Sequence, residues 1–202
     1  MSTPPGEYYT DERWQNWLDR VTSTDLDPEE EESARLLLNL QDDAAIAVAK
    51  VVSDHEDDEL TEETALDELE RIEGIVLADQ DLGSEDEETA MLIDGVQTSL
   101  MCVFYAAEEY IVGGPAEEGT VGEYVEAAAD AEADEDLDAA LGYCVQAGTL
   151  IIDGADLDRE AADGLEFGLV AEWVNGLDSL QTAFEDPAVV EEDEDEDSEA
   201  DG

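Results

Sequence analysis

Histidine, cysteine and lysine are the residues around which most sites working at neutral pH are built, and this chain has very few of them. His55 is the only histidine, Lys50 the only lysine, and Cys102 and Cys144 the only cysteines. General acid and base chemistry near pH 7 most often uses histidine. His55 sits in the charged stretch SDHEDDEL, Ser53 to Leu60, where an exposed and chemically idle ring is expected. Helical di-iron bundles need two Glu-x-x-His pairs, so a single histidine excludes that class. A zinc site drawn from His55, Cys102 and Cys144 lacks paired ligand spacing. Both cysteines fall in apolar helical patterns and are expected as reduced core thiols. If Leu60 is taken as the eighth position of a calcium-binding EF-hand loop, the first, sixth and twelfth positions become Ser53, Asp58 and Thr64. The motif wants Asp, Gly and a bidentate Glu there. Lys50 has no glycine-rich loop before it, so a P-loop is absent, and Gly113, Gly114 and Gly119 enclose Glu117 and Glu118, which repel phosphate. No catalytic residue, cofactor site or metal site is expected.

What remains are polar residues set within otherwise apolar helical patterns: Asn39, Asp42 and Asp43; Asp94, Gln97 and Thr98; Asn175 and Asp178. Buried polar groups must find partners or cost about 1–3 kcal/mol each. Two readings follow: solvated faces with structural hydrogen bonds between helices, or a pocket for a small ligand. Trp14 and Trp17 present a similar choice, between docking into the chain's own core and anchoring a partner.

Charge bounds the setting. Asp and Glu number 61 against 6 Lys and Arg, a formal net charge of -55. Such a surface repels itself and opposes compaction. The Debye length shrinks from roughly 10 Å at 0.1 M salt to ~3 Å at 1 M, so a high intracellular salt concentration is expected to be a requirement for folding. With no cluster of Lys and Arg to meet phosphates, direct nucleic-acid binding is not expected. The longest apolar runs, Ala44 to Val52 and Leu100 to Ala107, fall short of the roughly 20 residues that span a bilayer. Met1 to Thr10 has no signal-peptide pattern. A soluble, cytoplasmic protein is expected, without membrane attachment.

The elements that would position these residues are helices, because apolar residues recur at helical spacing and nowhere alternate as a strand requires. Thr10 is placed to cap a first helix carrying Trp14, Trp17, Leu18 and Val21 on one face. Asp27-Pro28 signals a second start, with Leu37, Leu40, Ala44, Val48 and Val51 forming its stripe. A third helix opens after Thr61 and runs to Gly83 with Leu66, Leu69, Ile72 and Val76 inward. Ser84 and Glu87 have capping-box spacing for a fourth, reaching about Val112, whose centre from Leu100 to Ala106 is apolar nearly all round and so predicted to be enclosed. Thr120 and Glu123 repeat the capping box. Two more helices are predicted, over about Asp136 to Ile152 and Asp158 to Phe184. The fold class is therefore all-α, a bundle of six or seven helices over residues 10–186, between a flexible N-terminus (1–9) and a disordered acidic tail (187–202). Nine of the eleven residues from Glu191 to Asp201 are acidic. One echo stands out: Ile93-Asp94-Gly95-Val96 and Val174-Asn175-Gly176-Leu177 share a pattern whose interior glycine costs about 1 kcal/mol relative to alanine. Both glycines are read as places where helices cross closely, with a duplicated hairpin as the alternative.

The strings YYTDERWQNWLDR (Tyr8 to Arg20), ARLLLNLQDDAAIAVAK (Ala34 to Lys50), DGVQTSLMCVFYAAEEYIVGGPAEEG (Asp94 to Gly119) and LVAEWVNGLDSLQ (Leu169 to Gln181) resemble an uncharacterised family of acidic proteins of halophilic archaea. The resemblance covers nearly everything but the tail. It implies a salt-adapted cytoplasmic protein and supplies no catalytic residues. The function expected is that of a noncatalytic helical interaction or structural protein, with an unknown protein partner or self-association. The alternative is a small-ligand binder or an enzyme using carboxylates and amides between helices.

Overall fold

The computed structural model describes residues 7–24, 31–78, 87–157, 164–165 and 168–185. Among these the regular structure is entirely helical: α1 (Asp11–Ser23), α2 (Glu31–Glu56), α3 (Glu62–Val76), α4 (Glu87–Gly113), α5 (Val121–Ala133), α6 (Leu137–Ile152) and α7 (Leu169–Glu185). The capping signals act as their chemistry requires. Thr10, Thr61 and Thr120 accept from the amides of Arg13, Thr64 and Glu123, and Asp136 accepts from Ala139, so each start satisfies a donor the helix leaves unpaired. At the other ends, Asp58 and Glu135 adopt left-handed backbone at φ 58° and 64° to close α2 and α5, and Gly114 at φ 77° donates to Tyr110 O at 2.8 Å after α4.

Helix α4 packs against α2, α3, α6 and α7. Leu100, Cys102, Val103, Phe104, Ala106 and Ala107 are fully buried, with only Tyr105 of the apolar centre exposed. By length and composition α4 could also cross a membrane, unlike the shorter runs read from the sequence; half of its most apolar window is buried inside the protein. One apolar core joins residues from all seven helices.

Close approaches set the register. A Cβ on Gly176 of α7 would meet the carbonyl carbon of Ser99 on α4 at 2.7 Å and its oxygen closer still, while Gly95 lies beside Glu172. The pairs Gly95–Glu172 and Ser99–Gly176 advance in the same sense along both chains, so α4 and α7 run parallel where they cross. The two glycines of the sequence echo thus lie on the same crossing, but only Gly176 is held there by contact. Gly148 of α6 faces Ala106 and Leu177, where an added Cβ would come 2.9 Å from Leu177 Cδ2. That glycine carried no signal of its own in the sequence.

Several boundaries differ from expectation. Helix α3 ends at Val76, where Leu77 caps it. Gln97 explains why the chain turns there, since its side-chain amide donates to Val76 O and Ala78 O at 2.7 and 3.0 Å. The last helix begins at Leu169 rather than near Asp158: Gly164 and Leu165 are not helical, and Gly168 sits at φ 132°, open only to glycine. The Glu132 carboxylate of α5 then caps α7 by accepting from Leu169 N at 2.7 Å. Helix α2 continues to Glu56, and His55 in its last turn is half-buried with Nδ1 3.0 Å from Leu60 O, not an idle surface ring. Tyr8 and Tyr9, expected in a flexible N-terminus, are buried. Arg71 ties that segment down by donating to Tyr9 O at 2.8 Å. Asp27-Pro28, Gly83, Ser84, Pro187 and the acidic tail lie outside the described residues.

Candidate functional site

Of the polar residues singled out from the sequence, Asp42, Asn175 and Asp178 come together where α2 packs on α7, and the others are dispersed. Asp43 is buried at the α1–α2 contact, paired with Arg13 and accepting from Trp17 Nε1 at 2.8 Å. Asp42, one residue on, is half-buried, and burial raises its pKa above the ordinary value against the lowering effect of a Ser179 hydrogen bond. Gln97 is committed to the end of α3. Asn39 and Thr98 are half-buried, whereas Asp94, Asn175 and Asp178 are exposed. Asn175 contributes its backbone oxygen, which accepts from Gln41 Nε2 at 3.1 Å; the same amide donates to Ser179 Oγ at 2.9 Å. Trp14 and Trp17 are 0% and 8% exposed and belong to the chain's own core. Trp14 is apolar bulk there, for its Nε1 has no hydrogen-bond partner among the described residues. The two cysteines are free and buried on α4 and α6, and the Cys144 side chain, then burial, pushes the Cys102 thiol up.

What the helices do build is a groove of about 650 Å³ between α3 and α4. Its apolar lining is Leu66, Tyr105, Val112 and Val145, with Tyr105 and Val112 exposed. Carboxylates frame it: Asp67, Glu70 and Glu73 recur at three-residue spacing on α3, and Glu108 and Glu109 lie on α4. Among the described residues no lysine or arginine lines it. Glu73 and Glu108 both have raised pKa values, from desolvation first, then from repulsion by Glu70 for the former and by Glu73 and Glu70 for the latter. The groove therefore concentrates negative charge beside apolar surface, an arrangement that a cation with an apolar body relieves. Sequence reasoning did not single out these acids. The available signal was like charge at i, i+3 on α3, a spacing that destabilises a helix, with the interleaved Arg71 drawn instead to Glu68 and Tyr9 O.

The family described as an uncharacterized protein conserved in archaea (DUF2150) matches residues 7–193. The chain belongs to that family. No curated protein and no solved structure matches it. The match spans all seven helices and both faces of the groove, and it brings no activity or site residues with it.

Proposed function

We propose that this is a noncatalytic helical interaction protein of a salt-rich haloarchaeal cytoplasm, and that the α3–α4 groove receives a cationic amphipathic helix of a protein partner. The observation that carries this reading is the pairing of exposed Tyr105 and Val112 with Glu73 and Glu108, whose charged forms already repel one another. A partner helix with basic residues one turn apart would remove that repulsion while its apolar face covers Tyr105 and Val112, the helix-in-groove mode of recognition. The charge of -55 with a single lysine supports the saline setting. Concentrated salt screens beyond ~3 Å, so affinity there comes from contact ion pairs and apolar burial rather than long-range steering. The placement of Gln41, Asp43 and Gln97 in structural hydrogen bonds supports a noncatalytic role, because these interior side chains are already engaged.

The test is fluorescence anisotropy in multimolar KCl with a labelled amphipathic peptide bearing Leu and Arg at helical spacing, beside a copy with Gln for Arg. Saturable binding of the basic peptide alone, weakened by Tyr105→Ala and by Glu73→Gln with Glu108→Gln, is expected. Equal binding to the altered groove, or none at all, overturns the reading. Affinity capture from a lysate held in the same salt then identifies the partner.

A further inference from the structure

A second groove, of about 400 Å³, opens between α2, α4 and α7. Its size falls within the range of small-molecule sites. Leu37, Leu38, Met91, Leu92 and Val96 form the apolar side, with Leu38 43% and Met91 69% exposed. The opposite wall is polar and is rich in acceptors. Among the described residues Glu172, which is exposed, is the only charged one lining the groove, and no Lys or Arg pairs with it. Among the described residues its Oε2 accepts only a long contact, 3.4 Å, from Ser99 Oγ, whose single proton is shared with Gly95 O at 3.1 Å. The donors of Gln41 are engaged by Asn175 O and Ser179, leaving its carbonyl oxygen as an acceptor. Gly95 keeps the space beneath Glu172 open: a Cβ there would touch nothing but Glu172 Oε2, at 3.8 Å.

An anion meets repulsion in this groove, and a neutral aliphatic molecule leaves the carboxylate unpaired. The complementary ligand brings N–H donors and positive charge at one end and a short hydrocarbon at the other. We propose that the α2–α4–α7 groove binds a small aliphatic ammonium ion, its head on Glu172 and its chain against Leu37, Leu92 and Val96. This site is independent of the α3–α4 groove and stands or falls separately.

Isothermal titration calorimetry of the full chain in multimolar KCl, with hexylammonium chloride as the probe and 1-hexanol and ammonium chloride as controls, tests it. One saturable hexylammonium site is expected, with each control at least about tenfold weaker, a difference of about 1.4 kcal/mol. Glu172→Gln should weaken it by about tenfold or more. Gly95→Leu, which fills the groove from an otherwise unobstructed position, should abolish it. Non-saturable uptake, uptake equal in Glu172→Gln, or hexanol binding as well as hexylammonium overturns the proposal. So does a dimer in sedimentation that Met91→Glu dissolves, since that outcome assigns the groove to a second copy of the chain.

Discussion

Replacing Gly176 with alanine puts the packing of α4 on α7 to a direct test. Alanine is the better helix former by about 1 kcal/mol, so in an open position this change stabilises. At Gly176 the new methyl would lie 2.7 Å from the Ser99 carbonyl carbon. Carbon atoms settle at about 3.5–4.0 Å, so the helices must separate by roughly 1 Å. The obstructing atoms are backbone, which cannot rotate away. Overpacking of this kind costs about 1–3 kcal/mol, and a site blocked by backbone belongs at the upper end. The net loss is then ~1–2 kcal/mol, or about 2–8 °C in melting temperature for a chain of this size. Gly74→Ala on α3 and Gly142→Ala on α6 serve as controls, because nothing lies within 4 Å of a Cβ at either position. Differential scanning calorimetry in multimolar KCl should show the two controls rising and Gly176→Ala falling. If all three rise together, α4 and α7 do not meet as described.

Other outcomes follow from the same contacts. Gly148→Ala should destabilise by about 1–3 kcal/mol, and adding Ala106→Gly should restore part of the loss by removing the opposing methyl; denaturant titration of the single and double variants reads the coupling. At the α1–α2 latch the Asp43 side chain is 0% exposed and that of Arg13 44%. Arg13→Met, which strands a buried carboxylate, should therefore cost about 3 kcal/mol or more, and Asp43→Asn less; equal costs in urea melts would contradict this asymmetry. Glu73 and Glu108 have folded-state pKa values raised above the ordinary 4.5. The folded protein then holds more protons than the unfolded chain above pH 4.5, so this contribution is complete below that value and is lost as pH rises through the folded values. Melting temperature should rise on acidification from neutrality towards pH 5, less steeply in Glu73→Gln/Glu108→Gln; an unchanged slope would falsify the crowding assigned to the groove.

Helix content was legible because local chemistry and period coincide. Thr10, Thr61, Thr120 and Asp136 cap where hydroxyl and carboxylate side chains can reach the first-turn amides. The stripe of Trp14, Trp17, Leu18 and Val21 is buried as its spacing demands. Misplaced boundaries arose where a tertiary partner decides the end, as Gln97 does for α3 and Glu132 for α7. Neither partner is near in sequence, so no local pattern announces it. The interior polar residues were visible as a class, but their uses were not: Asp43 looked no different from Asp94, yet one is buried against Arg13 and the other is exposed. The α3–α4 groove was hidden for a related reason. In a chain with 61 acidic residues, five carboxylates that face one another across two helices cannot be told from those facing water until the helices are paired.

All of these readings assume that apolar packing among seven helices holds against the mutual repulsion of the acidic surface only when concentrated ions screen it. Far-UV circular dichroism at 222 nm during stepwise dialysis from multimolar KCl into dilute buffer measures that balance directly. The account predicts a cooperative loss of helix as the salt is withdrawn, reversed when it is restored. Undiminished helicity in dilute buffer would contradict it.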